Sequence, residues 1–435
     1  MIKFKNIINA TTIINENFIF DPWIYGYVFY GMWRPYPKPN FKKNLLKKIK
    51  YCFISHVHQD HWDIKTIKHF NKNTKFIIPD LPFNKIIGHS LNKLGFYNIT
   101  YCKMGKWLNL NSQIEISIVP PLNDGGFEQN HKIKPKKGNN SISIDTGLMI
   151  KCKKDKSYHL LLGDNVPYNL QLFKKIYKKI NISTVFFPHN GYATDFPLNY
   201  TNFDLTEKIK LSLVKSKKTE KSLVKFFKYI KPKMLVPFSA QFSINNKKKQ
   251  KLFNAVNNKE FFHKDLYSSR INKITKINSA ILYAEDELTF ESGHYINKIR
   301  STYKTRRKES PIKKVNLPIV KNTNEIEKLL NISFDLYFKR LSKLKIKINF
   351  NKIKFVISLK KMNYILDFES RKIIKSKNIP KNNYLNLITD VQILVAILTR
   401  KLHIDNCVVS FLLFWKRNPN KYNKDLYNSL SFLHI

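Results

Sequence analysis

Apolar and polar positions along the first third of the chain fall in short alternating runs. Thr11 to Ile14 and Phe18 to Phe20 flank the turn-forming Asn15-Glu16-Asn17, which predicts a hairpin ending at Asp21-Pro22-Trp23. Tyr51 to Ser55 is a buried-strand pattern that runs into a polar, histidine-rich loop, and Asp63 to Phe70 then takes helical spacing. The order predicted there is strand, loop, helix. Further strands are expected at Phe76 to Pro79, Ile99 to Lys103, Ile114 to Val119, Ser141 to Asp145, His159 to Leu162, Thr184 to Phe187 and Met234 to Pro237. The longest helical pattern, Leu205 to Ile230, carries lysines on its outer face and stops before Pro232. Past a basic, proline-containing stretch, Ile326 to Leu341 reads as helix, alternating strands follow through Phe368, and Leu385 to Lys401 reads as helix. This mixture is α/β and excludes all-α and all-β folds.

A chain of 435 residues exceeds the usual size of one hydrophobic core. The basic stretch sets the boundaries: a catalytic domain over residues 1–297, a linker over 298–322 and a small α+β domain over 323–435. The formal charge of +48 arises from lysines spread through the sequence, so it reads chiefly as solvated surface. It still favours a small anionic substrate. The four cysteines, Cys52, Cys102, Cys152 and Cys407, have no metal-knuckle or disulfide spacing, which fits a reducing compartment. The first residues do not read as a secretory signal. Val391 to Trp415 is interrupted by Arg400, Lys401, His403 and Asp405, so no membrane insertion is expected. A cytoplasmic location follows as the expectation.

The chemistry is concentrated in His56-Val57-His58-Gln59-Asp60-His61. Two histidines one residue apart at a strand end can aim their imidazoles at one cation, while Asp60 and His61 turn toward a neighbouring one. This HxHxDH string resembles the signature of the metallo-β-lactamase superfamily, which implies an αββα sandwich and hydrolysis at a metal-bound hydroxide. The resemblance covers the first two thirds of the chain. It implies metal ligation by His56, His58, Asp60 and His61, a catalytic role for Asp60 and His61, and a bridging acid at Asp164 in Gly163-Asp164-Asn165. The third histidine expected after Ile114 to Val119 is not in place; Asp124 is the substitute, with His131 as the alternative. Ser239 stands where the closing histidine is expected. His189 and Asn190 end a strand and are candidates, with Ser239, for binding substrate.

Phe20-Asp21-Pro22-Trp23, Tyr30-Gly31-Met32-Trp33, Asn123-Asp124-Gly125, Gly191 to Pro197 and Pro237 to Phe242 are similar to segments of the metallo-β-lactamase module of CMP-N-acetylneuraminate and UDP-N-acetylmuramate hydroxylases. Those enzymes add a Rieske iron-sulfur domain, which needs a Cys-x-His pair with a second Cys and His. The sequence contains no such set. Three functions are therefore carried forward. One is a metal-dependent hydrolase of a polar anionic substrate, a sugar or nucleotide-sugar derivative, with zinc as the expected divalent ion and iron or manganese as alternatives. A second is an iron-dependent hydroxylase fed by a separate reductase. The third is a nuclease or nucleic-acid-binding protein. The last hundred or so residues, through Phe414 to Asn423, resemble sterol-carrier-like domains.

Overall fold

The computed structural model describes residues 1–81, 84–123, 144–178, 180–189, 195–291, 293–298, 323–344, 348–350, 352–360, 362–421 and 423–435. In chain order the strands of the first unit are β1 Ile2–Ile8, β2 Thr11–Ile14, β3 Phe18–Phe20, β4 Trp33–Pro35, β5 Tyr51–Phe53, β6 Lys75–Pro79, β7 Ile99–Cys102, β8 Trp107–Asn109, β9 Ile114–Val119, β10 Gly147–Cys152, β11 Tyr158–Leu161, β12 Ile182–Pro188, β13 Met234–Phe238, β14 Phe242–Ile244, β15 Glu287–Glu291 and β16 His294–Lys298. Its helices are α1 Ile64–Ile67, α2 Lys85–Lys93, α3 Leu170–Ile176, α4 Leu205–Ile230, α5 Lys247–Val256, α6 Lys259–Phe262 and α7 Lys264–Thr275.

Fourteen of these strands form two stacked sheets, and β14 and β4 pair as a separate two-stranded sheet. One has the order β16-β15-β1-β2-β3-β5-β6-β7 and the other β13-β12-β11-β10-β9-β8. Alternation along each strand explains the stacking. Phe4, Phe18, Phe20 and Phe53 of the first sheet meet Ile116, Leu148, Phe186 and Phe238 of the second in one buried layer. The alternate residues Ile13, Ile19, Cys52 and Phe76 turn outward under Ile67, Ile87 and Leu91 of α1 and α2. On the far side Met149, Leu160, Val185 and Phe187 lie under Phe173, Leu223, Phe227 and Tyr267 of α3, α4 and α7. The result is the expected αββα sandwich. Helix α4 matches its expected span and starts with a capping box in which the Asp204 side chain accepts from Glu207 N.

A second unit carries α8 Thr323–Lys343, β17 Lys354–Leu359, β18 Met362–Asp367, β19 Lys372–Ser376, β20 Tyr384–Ile388, α9 Val391–Leu398, α10 Ile404–Val409, β21 Phe414–Asn418 and α11 Lys424–Ser429. Its sheet runs β19-β18-β17-β20-β21. The helix expected over Leu385 to Lys401 is corrected here: Tyr384–Ile388 is a strand and the helix spans only Val391–Leu398. β20 lies between two neighbours, with Leu385 and Leu387 in one core and Tyr384 in another. A strand covered on both faces reads as a continuous apolar run and loses its two-residue period. The strand expected at Ser141 to Asp145 is described only at its end. Residues 141–143 lie outside the described residues, Asp145 is in no strand, and β10 begins at Gly147. Nearly all of the 298–322 stretch lies outside the described residues. No helix among the described residues is long and apolar enough to cross a membrane.

The inter-sheet layer sets the distance between the two sheet edges from which the site residues project. Phe186 is buried there, with its ring centroid 4.8 Å from Phe4 and 5.9 Å from Phe238. Phe186→Ala should destabilise the chain by about 3–5 kcal/mol. A denaturant titration would show this as a lower unfolding midpoint, and an unchanged midpoint would contradict it.

Candidate metal centre

The site grows from the carboxyl ends of β3 and β5, which pair in parallel with Phe20 opposite Phe53. Directly after β3, Asp21 adopts a positive φ of 47° and its side chain is fully buried. Its Oδ1 accepts from Ser55 N at 2.7 Å. Its Oδ2 accepts from Ser55 Oγ at 2.7 Å and lies 2.7 Å from His61 Nδ1. Burial raises the Asp21 pKa even though His61 and Ser55 act against that rise. After the histidine loop the chain re-enters helix at Asp63, whose carboxylate caps α1 by accepting from Lys65 N and Thr66 N.

This wiring orders the protons. The Ser55 hydroxyl donates to Asp21, so its oxygen is left to accept from His56 Nδ1, 2.8 Å away. His56 Nε2 then bears the lone pair, 2.9 Å from His58 Nδ1. In the same way His61 donates through Nδ1 to Asp21 and turns Nε2 toward Asp164 Oδ2 at 3.2 Å and Asp60 Oδ2 at 3.6 Å. Holding one ring nitrogen through a carboxylate frees the other to ligate.

The second sheet contributes acids. Asp164 follows β11 across Gly163, whose φ is +60° and whose Cβ, if present, would sit 3.4 Å from Thr146 O and 3.7 Å from Asp21 Oδ2. Glycine suits both the left-handed backbone and the close approach. Asn165 fixes the turn by accepting from Leu122 N at 2.7 Å and donating to Pro120 O at 2.9 Å. Asp145, just before β10, places Oδ1 3.6 Å from His56 Nε2 and accepts from the Asn123 amide on its other oxygen.

Two ligand groups result: His56, His58 and Asp164, and Asp60, His61 and Asp164, each with ligand atoms within 4.8 Å of one another. The proton affinities reflect this crowding. Burial, with Asp164 nearby, pushes Asp60 up to about 6, and burial and Asp164 push Asp145 up to about 7. Burial opposes a charged His61, yet Asp60, Asp164 and Asp21 hold its pKa well above the usual value. Burial keeps His56 well below it, helped by the His61 and His58 charges. The residues fit a divalent cation. Nε2 of His61 is buried without a hydrogen bond of good geometry among the described residues, and carboxylates and imidazole lone pairs converge where a +2 charge relieves their repulsion.

The other sequence candidates are placed as follows. Asp124, His131 and Asn190 lie outside the described residues. Leu161, Phe186 and Val236 form one row across β11, β12 and β13, so Asp164, His189 and Ser239 each stand three residues beyond it. His189 is buried, with Nδ1 3.0 Å from Phe238 O. Ser239 is buried at a φ of 77°, its N donating to Asn9 O at 3.0 Å. Sequence reasoning missed Asp145 and the role of Asp21. Asp21 stands in Phe20-Asp21-Pro22-Trp23 at the end of a predicted strand, and that position was the available signal.

No protein-family model matches the chain. Over 240 residues it is 25% identical to the cytidine monophosphate-N-acetylneuraminic acid hydroxylase of Danio rerio, covering 52% of this chain and 35% of that protein. The Xenopus laevis hydroxylase is 24% identical over 243 residues, covering 52% and 36%. The chain thus spans only about a third of the length of these curated relatives. Among solved structures, a possible metal-dependent hydrolase from Veillonella parvula aligns with 66% of this chain and 99% of its own, at 15% identity and a TM-score of 0.41.

Because Asp21 orients ligands on both sides of the centre, Asp21→Ala should lower divalent-metal affinity about 10–100-fold. Metal titration of the variant, with circular dichroism as the control for folding, tests this; wild-type affinity would remove the orienting role.

Proposed function

We propose that the first unit is a metal-dependent hydrolase acting on a polar anionic substrate, a sugar or nucleotide-sugar derivative. The observation that carries this reading is the convergence of His56, His58 and Asp164, and of Asp60, His61 and Asp164, on neighbouring points. His56, His58 and Asp164 hold the ion, with Asp124 or His131 as a further ligand and Asp145 beside His56 at 3.6 Å. A divalent cation there, zinc in the first instance, supplies Lewis acidity that brings the pKa of water toward neutrality.

The chain's own residues complete the chemistry. Asp60, buried beside His61 and pushed up to about 6, is suited to take a proton from the attacking water. The water oxygen bonds to the electrophilic carbon or phosphorus, the bond to the leaving group breaks, and Asp60 returns the proton to that group. His61, the neighbour of Asp60, is itself held by Asp21. His189 acts through Phe238 O, fixing the turn into Ser239 at the substrate side. The anionic substrate class draws on the +48 charge and on the nucleotide-sugar named for the relatives. Four cysteines without a disulfide fit a reducing, cytoplasmic setting.

The similarity to hydroxylases favours one second reading, an iron-dependent hydroxylation using an external reductase. Metal analysis of protein purified without oxygen separates the two. Zinc or manganese supports hydrolysis, and iron that consumes oxygen with an added reductase supports hydroxylation.

Asp60→Asn should keep the fold and the ion at His56, His58 and Asp164 while lowering turnover about 10²–10⁴-fold, measured by mass spectrometry on N-acylated nucleotide sugars. Asp164→Ala should lose the metal itself. Full activity in Asp60→Asn would defeat the role given to that carboxylate.

A further inference from the structure

We propose that the C-terminal unit builds the outer wall of the metal centre, where His403 and Asp405 position hydroxyl groups of the substrate. The substrate part of this proposal rests on the function proposed above, whereas the wall does not. Gln59, inside the histidine loop, accepts from Phe29 N through Oε1 at 2.6 Å. The next residue, Tyr30, accepts from His403 N through its hydroxyl at 2.7 Å and also meets the Asn406 side chain. Phe29 and Tyr30 therefore link the metal loop to the residue that caps α10.

The same segment is pinned at several further points. Trp33 Nε1 donates to Val409 O at 3.2 Å, Asn199 Nδ2 to Val408 O at 2.5 Å and Lys249 Nζ to Phe411 O at 2.8 Å. Phe196 and Tyr200 of the first unit pack into the C-terminal core beside Ile404, Cys407 and Trp415. Hydrogen bonds at successive positions leave α10 little freedom to slide relative to the loop.

Ile404 and Cys407 bury one face of α10, while the other presents a polar pair. His403 Nδ1 lies 3.5 Å from Asp405 Oδ2, and their side chains are 39% and 50% exposed. A carboxylate acceptor beside an imidazole donor matches a hydroxyl that both donates and accepts. A fixed negative charge at the rim also works against any second anionic group there.

The test uses the full chain loaded with Co(II), following the visible spectrum as inorganic phosphate is added. Asp405→Asn and His403→Ala should bind as much cobalt as the wild type. Asp405→Asn should tighten phosphate about threefold or more, and His403→Ala should weaken it by a similar factor. Identical phosphate affinities in all three proteins would overturn the positioning role. An independent arm needs no metal: Gln59→Cys with Asp405→Cys should be joined by a short bismaleimide. Two reactive thiols that fail to cross-link would overturn the wall. A wild type that binds no cobalt would instead refute the metal reading, and the cross-link would still decide the wall.

Discussion

The carboxylate of Asp21 is the interaction on which the rest depends. A fully buried acid is costly unless its oxygens are met by donors, and here Ser55 N, Ser55 Oγ and His61 Nδ1 meet them. Those contacts tie the end of β3 to the loop after β5, two strands that are already neighbours in register. They also settle which nitrogen of His56 and His61 keeps its lone pair. The tautomers needed for ligation are thus a product of strand pairing.

Around this hub the two sheets bring charges of one sign together. Asp60 arrives from the histidine loop, Asp164 from the end of β11 and Asp145 from the start of β10. Packing between the sheets is rigid enough to hold them there, since aromatic and branched side chains fill the intervening layer. The repulsion is visible in the raised proton affinities of Asp60 and Asp145. A chain with a formal charge of +48 thus gathers Asp60, Asp145 and Asp164 around one histidine loop.

Much of the fold and part of the site could be read in advance from local pattern. The hairpin of β2 and β3, the strand-loop-helix around His56 and the limits of α4 all have short-range causes, namely alternation, a capping aspartate and a helix stop. The unread parts have long-range causes. Asp145 belongs to the site because β9 and β10 are antiparallel neighbours, so Asn123 and Asp145 meet although 22 positions separate them. Asp21 looks like a turn residue until β3 and β5 are known to pair. β20 passed for helix because both its faces are covered, and only its neighbours in the sheet reveal it.

Asp164, His189 and Ser239 stand beyond the last paired residues of three adjacent parallel strands. A change of side chain there disturbs no ladder bond, because the backbone groups that hold the sheet lie upstream. A substitution at such a tip is accordingly cheap for the sheet and consequential for whatever the tip residue contacts. The same scaffold can present different chemistry by changing one tip residue at a time while the packed layer between its sheets is left as it is.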